Sequence, residues 1–370
     1  MNTFADVVII GAGFAGASTA YYLSRAGIRD VLILEQERTP GSHASGLNAG
    51  IIRQIIPDPS LLPFIREGAG FIRKLPEEWA IHPEFKPCGV LLLGTGHSWE
   101  KLKTAVATAA DAGVAAESLA PSEARRKASI LEDVSFDGAA WCATDGVVDI
   151  HSLLQGYLRQ AEIGGARILT STKVTGFRIR HHRVEGVLTE SGTIQADLVV
   201  NAAGAWSGEL ARTAGAFPVP VYPYRRHLVA TGFLDWVDPS WPVVWNLSDE
   251  HYFRPESGGL LLSPCDASKH PPGIPQADPE AALWLHKKLE SCPRLKNISV
   301  KKTWACLRTL ADDGRFVIGR DPYLEGFFWV SGLGGHGVTS SAAVGRMAAD
   351  LILMDQKELK EFSPSRFASF

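Results

Sequence analysis

Gly11-Ala12-Gly13-Phe14-Ala15-Gly16 sets three glycines at the spacing G-x-G-x-x-G, directly after the apolar run 7–10 and ahead of a helical stretch. Gly11 permits a tight turn, Gly13 lets the backbone approach a pyrophosphate held at the helix N-terminus, and Gly16 allows close packing of helix on strand. Glu35, 19 residues beyond Gly16, ends the next apolar run and can accept hydrogen bonds from the ribose hydroxyls of an adenosine. A 2′-phosphate beside that carboxylate would be repelled. The motif points to a dinucleotide and leaves FAD and NAD both open. A second glycine-rich strand-to-helix junction, Gly332-Leu333-Gly334-Gly335-His336-Gly337, follows the strand pattern 327–331. His43 and His336 are imidazoles in such loops, with an ordinary pKa suited to moving a proton near neutrality or to hydrogen bonding with backbone or cofactor.

These groups need elements to position them. The pattern predicts a strand over 7–10, a helix over 17–26 ended by Gly27, and a buried strand over 31–34. That is a βαβ unit, whose strands are parallel and joined by a right-handed crossover. The irregular stretch 40–63 is a long loop close to the fingerprint, and such loops are commonly functional. A strand over 90–93 precedes a surface helix over 101–116. Asp149 is the expected N-cap of a helix over 149–163. Strands follow at 167–170, 177–180, 186–189 and 196–200, the last running into Asn201-Ala202-Ala203-Gly204. Residues 217–264, rich in Pro, Trp and Tyr, read as an antiparallel sheet of a second domain. A helix over 280–289, strands over 300–307 and 327–331, and a helix over 338–353 complete the pattern. No repeat of 20 to 50 residues is visible.

At about 150 residues per domain, a chain of 370 residues predicts two to three domains with real cores. With 45% hydrophobic and 21% charged residues, disorder is excluded. Lys plus Arg number 37 against 40 for Asp plus Glu, so no basic footprint for nucleic acid exists. Cys88, Cys142, Cys265, Cys292 and Cys306 form an odd, scattered set without C-x-x-C pairs or zinc spacing, so no metal is expected and a reducing cytoplasm fits. The N-terminus shows no basic n-region or cleavage site, so secretion is not expected. The uncharged run 7–24 is 18 residues long, enough to consider a membrane span. Its spaced glycines, followed by Ser18, Thr19 and two tyrosines, favour strand-turn-helix instead.

Four segments in order resemble the FAD-dependent amino-acid oxidase and dehydrogenase superfamily typified by D-amino-acid oxidase, glycine oxidase and sarcosine oxidase. They are Val7-Val8-Ile9-Ile10 with the glycine motif, His43-Ala44-Ser45-Gly46-Leu47-Asn48-Ala49-Gly50, Asn201-Ala202-Ala203-Gly204-Ala205-Trp206, and Gly334-Gly335-His336-Gly337-Val338-Thr339. The resemblance covers nearly the whole chain and implies FAD. It implies that Ser45, Gly46, Asn48, Ala49 and Gly50 line flavin and pyrophosphate, with His43 and Ala44 in the same loop and Gln36 beside Glu35. Val174 would offer its backbone to the adenine, and Ala203, Gly204 and Trp206 would pack beside the dinucleotide. Gly334, Gly335, His336, Gly337, Val338 and Thr339 would bring N–H groups and a helix N-terminus to the pyrimidine edge of the isoalloxazine, where negative charge gathers on reduction.

Within the superfamily, Tyr222-Pro223-Tyr224-Arg225-Arg226, His251-Tyr252-Phe253-Arg254-Pro255, Thr303-Trp304-Ala305-Cys306-Leu307-Arg308 and Gly326-Phe327-Phe328-Trp329-Val330 resemble bacterial D-arginine dehydrogenase-like proteins. That resemblance implies that Arg225 and Arg308 clamp a substrate carboxylate, with Arg226 competing for the first role. Tyr252 would close the pocket and His336 would border it. A planar guanidinium matches a carboxylate bidentately and fixes the α-carbon hydrogen over flavin N5. The carboxylate that receives a basic substrate side chain in that pattern falls here on Cys88, with Ile51, Arg53 and Ile56 as neighbouring pocket positions. An apolar or acidic side chain is therefore favoured over a basic one. Cys306 falls where sarcosine oxidase-like members attach FAD through sulfur. Non-covalent FAD with a small buried cysteine beside it is expected, and the covalent link is the alternative.

The expected fold is α/β: a Rossmann-like FAD-binding domain of glutathione-reductase type with an inserted α+β substrate domain containing an antiparallel sheet. The FAD domain would comprise 1–75, 140–216 and 312–370, and the substrate domain 76–139 and 217–311. The expected reaction is oxidation of a small carboxylate-bearing amine, a D-amino acid, to the imino and then keto acid by hydride transfer to flavin N5. An N-methyl amino acid, a 2-hydroxy acid, or a non-catalytic FAD-binding partner subunit are the alternatives, and the acceptor, oxygen or quinone, stays open. Trp236, Trp241 and Trp245 are expected in the core of the inserted sheet rather than at an interface.

Overall fold

Strand β1 (Thr3–Ile10) is continuously apolar over 7–10, where both its faces are covered. Val7 and Ile9 enter one hydrophobic core, while Val8 and Ile10 enter another on the opposite face. The structure is a computed structural model and describes residues 3–353 and 359–368. Residues 1–2, 354–358 and 369–370 of the expected FAD-domain segments lie outside the described residues. The elements that position the site are β1, α1 (Phe14–Arg25), β2 (Val31–Leu34), β3 (Gly192–Asn201), β4 (Val221–Thr231), β5 (Val243–Asn246), β6 (His251–Glu256), β7 (Val300–Ala311), β8 (Phe327–Ser331) and α2 (Ser341–Leu353).

The first sheet has eight strands. β1 runs parallel to β2, with Val7 opposite Val31, and parallel to β3, with Val7 opposite Leu198. β8 returns from the far end of the chain to pair in parallel with β3, Val199 opposite Phe327. This α/β sheet therefore draws on N-terminal, middle and C-terminal segments. α1 packs against α2 and against the helix Ile150–Ile163, whose Asp149 N-cap accepts from the N–H groups of His151 and Ser152 as expected. The α1–α2 approach needs Gly345, where a Cβ would lie 2.5 Å from the Ser18 carbonyl carbon.

A second sheet of nine strands is assembled from residues 90–142 and 221–311. β4 and β7 pair antiparallel along their length, from Val221 opposite Ala311 to Thr231 opposite Val300. β5 pairs antiparallel with β6 but parallel with Val90–Gly94, so the sheet is mixed rather than purely antiparallel. The expected boundary at 139/140 cuts strand Gly138–Cys142, which belongs to this sheet through its pairing with Val90–Gly94. Asp321 ties the chain ahead of β4 to the first sheet. Its buried carboxylate accepts from the N–H groups of Phe217, Tyr323 and Leu324 and from Trp329 Nε1 at 2.8 Å.

Several bounds move for local reasons. α1 begins at Phe14, three residues early, because the glycine turn feeds straight into the helix. The helix expected at 101–116 is His97–Asp111; Gly113, at φ +81°, turns the chain into strand Ala116–Leu119. α2 begins at Ser341, not at 338, because Gly334 at φ +55° and the turns after it hold the junction out of helix. Trp241 is buried, Trp245 half-buried, and Trp236 exposed. No helix among the described residues is long and apolar enough to cross a membrane, and 7–24 is the end of β1 plus α1.

Candidate active site

At the carboxyl ends of β1 and β3 the two chains approach so closely that Gly11, at φ +104°, could carry no Cβ: it would lie 2.6 Å from the Ala202 carbonyl oxygen. The turn delivers Gly13 as the N-cap of α1, whose N-cap makes no side-chain cap bond and whose first turn holds no acid. A helix N-terminus left so attracts an anion. Ser45 Oγ accepts from Phe14 N–H at 3.1 Å, drawing the 43–50 loop over this terminus. Glu35, at the end of β2, holds the turn by accepting from Ala12 N–H at 2.9 Å and also borders the cavity.

The 43–50 loop is held from within and from the second sheet. Asn48 Nδ2 donates to the Ala44 and Ser45 carbonyls, and its Oδ1 accepts from Gly50 N–H. Trp304 Nε1 on β7 donates to the Leu47 carbonyl, and Arg254 Nε on β6 donates to that of Ala49. His43 pairs with Glu37 at 2.9 Å and packs 4.7 Å from the Trp206 ring. A long cavity of about 750 Å³ follows, from Glu35, Gln36 and Val174, past the α1 terminus and the 43–50 loop, to β4, β6 and β7. A cavity of this volume that reaches from a carboxylate at the end of β2 past the N-terminus of α1 fits an adenine dinucleotide.

Of the expected cofactor residues, Gly11, Gly13, Phe14, Ala15, Glu35, Gln36, His43, Ala44, Ser45, Asn48, Ala49, Val174, Ala203, Gly204, Trp206 and the whole junction 334–339 line this cavity. Gly16, Gly46 and Gly50 do not; each shapes the turns behind it, where an added Cβ would strike a carbonyl oxygen at 2.0, 2.3 and 2.7 Å respectively.

At the opposite end, register decides which side chains meet. Tyr224 stands opposite Arg308 and Arg226 opposite Cys306, so these four share one face of the β4–β7 ladder. Arg225 falls on the other face, its Nη2 paired with Asp278 at 2.9 Å at the cavity's edge. This corrects the expectation that Arg225 joins Arg308: strand alternation puts Arg226 there, with its Nε and Nη1 buried and unpartnered. Tyr252 is buried on β6, its ring 4.7 Å from that of Trp245. Burial pushes its phenol up, partly offset by Arg308, so it stays neutral. His336 is pushed down to about 3, first by desolvation and then by Arg53 and Arg308, and is a neutral imidazole at working pH. Cys306 lines the wall as a thiol pushed up by burial, against the pull of Arg308 and Arg226.

Cys88 and Ile56 do not line the cavity. Ile56 is in the first core, and the Cys88 thiol donates to the Gly89 carbonyl. Trp245 and Tyr224 line the cavity, although nothing local marked them as site residues. Only the partner across the ladder reveals them, apart from the i, i+2 relation of Tyr224 to Arg226.

The family model for DAO, FAD dependent oxidoreductase, matches residues 6–351. The chain is 26% identical over 369 residues to 4-methylaminobutanoate oxidase (formaldehyde-forming) of Paenarthrobacter nicotinovorans, covering 95% of this chain and 44% of that protein. It thus spans less than half the length of that relative. FAD-dependent oxidoreductase domain-containing protein 1 of Xenopus laevis is 26% identical, covering 99% of this chain and 83% of that one. Among solved structures, L-proline dehydrogenase from P. horikoshii superposes with a TM-score of 0.89 at 25% identity, over 99% of this chain and 98% of the other. With the glycine turn, the helix N-terminus and the carboxylate of Glu35 all at one cavity, the chain belongs to the family of FAD-dependent oxidoreductases.

Proposed function

We propose that this chain oxidises a small amine carrying a carboxylate, with Arg308 and Arg226 as the carboxylate clamp. The observation that carries this reading is the pair of unpartnered guanidiniums on one strand face, at the opposite end of the cavity from Glu35. An N-substituted amino acid is the substrate class of this reading, supported by two relatives named for carboxylate-bearing secondary amines, 4-methylaminobutanoate and L-proline.

FAD, when bound along the cavity, supplies a two-electron acceptor for a hydride. The protein's part is to bind, orient and exclude water. Arg308 and Arg226 take the carboxylate in forked hydrogen bonds, fixing the adjacent carbon. Tyr252 presents a neutral hydroxyl to the same end. The positive field of the arginines disfavours a substrate ammonium, so the amine sheds its proton to solvent before oxidation. The nitrogen lone pair then forms the C=N bond as the hydride leaves carbon, and water hydrolyses the product to a carbonyl compound and an amine or ammonia. His336, neutral throughout, donates or accepts a hydrogen bond and supplies no proton from an imidazolium. FAD is held non-covalently in this reading, because a thiolate is the nucleophile that would attach it and burial opposes one at Cys306. All five cysteines are free, which supports a cytoplasmic location.

The test is anaerobic reduction of the bound flavin by a panel of N-methyl, cyclic, D- and L-amino acids and 2-hydroxy acids. Bleaching by an amine supports the reading. Bleaching only by hydroxy acids, or by nothing in the panel, overturns it. Reoxidation by air or by a soluble quinone then identifies the acceptor.

A further inference from the structure

Three unpaired guanidiniums, not two, face the substrate end of the cavity. Arg53 follows the short strand Ile51–Ile52 and lies 4.4 Å over the Trp245 ring, which itself packs against Tyr252. Arg53, Arg226 and Arg308 all line the cavity. Arg53 and Arg226 each feel the repulsion of Arg308. None of the three has an ion pair or hydrogen bond among the described residues, whereas Arg225 and Arg254 nearby are paired with Asp278 and Glu256.

The other charged and titratable groups around them do not supply the missing counter-charge. Asp145 is the carboxylate that Arg53 feels, but it is committed to Gln54, accepting from its N–H at 3.0 Å and its Nε2 at 2.8 Å. Asp266, beside Arg226, accepts from the His227 N–H at 2.9 Å and pairs with His227 Nδ1 at 2.8 Å. Cys265, Cys306 and Tyr252 are held protonated by burial, and His336 is neutral. A single substrate carboxylate on the Arg226–Arg308 clamp leaves Arg53 half-buried and unanswered, and leaving a desolvated charge unpaired is costly.

We propose that the substrate carries a second carboxylate, received by Arg53 beside Trp245: an amino or N-substituted amino dicarboxylate. The inference rests on the reading of the cavity as an amine-oxidising site, with Arg226 and Arg308 taking the first carboxylate. Trp245 gives the intervening carbons an apolar wall and keeps the Arg53 fork facing the cavity.

Binding tests this without turnover. The anaerobic holoenzyme is titrated with the redox-inert acids acetate and propionate, then malonate, succinate and glutarate, following the perturbed flavin absorbance. A hydrogen-bonded charge pair is worth about ten- to a hundredfold in affinity, so at least one diacid binds tighter than either monoacid by that factor. Arg53→Gln abolishes that advantage and Arg53→Lys keeps part of it. Equal binding of mono- and diacids by the unaltered protein overturns the proposal, whether or not the variants fold. An undiminished diacid advantage in Arg53→Gln also overturns it, as does an unchanged advantage with a shifted flavin potential, which assigns Arg53 to the cofactor. Flavin reduction by monocarboxylic amines with no gain from iminodiacetate, D- or L-aspartate overturns this inference alone. Diacid preference without reduction by any amine leaves it as a binding site and sinks the amine-oxidising reading.

Discussion

Replacing Arg308 separates a binding role from a structural one, because its guanidinium contributes no ion pair or hydrogen bond within the described chain. Arg308 stands among like charges, Arg53 and Arg226. Removing it relieves repulsion inside the protein, so Arg308→Ala leaves thermal stability unchanged or raises it. Substrate loses a forked, charge-assisted contact in a desolvated site, a loss of about 2–5 kcal/mol for truncating one partner of such a pair. By transition-state arithmetic this lowers kcat/KM about 30- to 4,000-fold. Arg308→Lys keeps the charge but loses the fork, and falls between the two. The assay is stopped-flow reduction of the bound flavin, run alongside thermal unfolding and flavin content. A loss below tenfold, or a collapse in stability with the activity, refutes the reasoning.

Three further outcomes follow from the geometry. His251 is buried and pushed down to about 4 by desolvation, so below about pH 6.5 the unfolded chain takes up a proton that the folded chain refuses, and stability falls with falling pH across that window. His251→Gln removes that contribution, about 1–2 kcal/mol at pH 5, in urea unfolding compared at pH 7 and pH 5; an unchanged difference between the two pH values counts against it. Asp321→Ala strands four donors, including the Trp329 indole, and lowers stability by about 3 kcal/mol or more; a change under 1 kcal/mol would show that this tie is dispensable. Acid precipitation releases all FAD into the supernatant, whereas yellow colour retained on the pellet and lost in Cys306→Ala would establish the sulfur link.

The first βαβ unit is legible in the sequence because β1 is apolar on both faces over 7–10 and the glycine spacing has one structural use. The Asp149 cap and the 43–50 loop are legible for the same local reason. What fails is non-local. Arg225 and Arg226 are adjacent and alike, and only the register of β4 on β7 turns one toward Arg308 and the other toward Asp278. Trp245 lies far along the chain from Arg53 and Tyr252 lies on the next strand, so their meeting needs the β5–β6 pairing and the fold of the 51–56 segment. The reading of Cys88 as a pocket residue fails similarly: the chain at 85–90 pairs into two different sheets, and this turns Cys88 out of the cavity wall. Helix ends shift where left-handed glycines, at 113 and 334, decide the stop or the start.

The central claim, that paired arginines hold a substrate carboxylate while its amine is oxidised, is tested most directly by chemistry on the substrate. The amino acid that best reduces the flavin is compared with its methyl ester under anaerobic conditions, in the unaltered protein and in Arg308→Ala. The account predicts that the ester reduces the flavin at least about a hundredfold more slowly, as expected for losing a charge-assisted pair, and that Arg308→Ala erases most of this difference. An ester that reduces the flavin as fast as the acid contradicts the account.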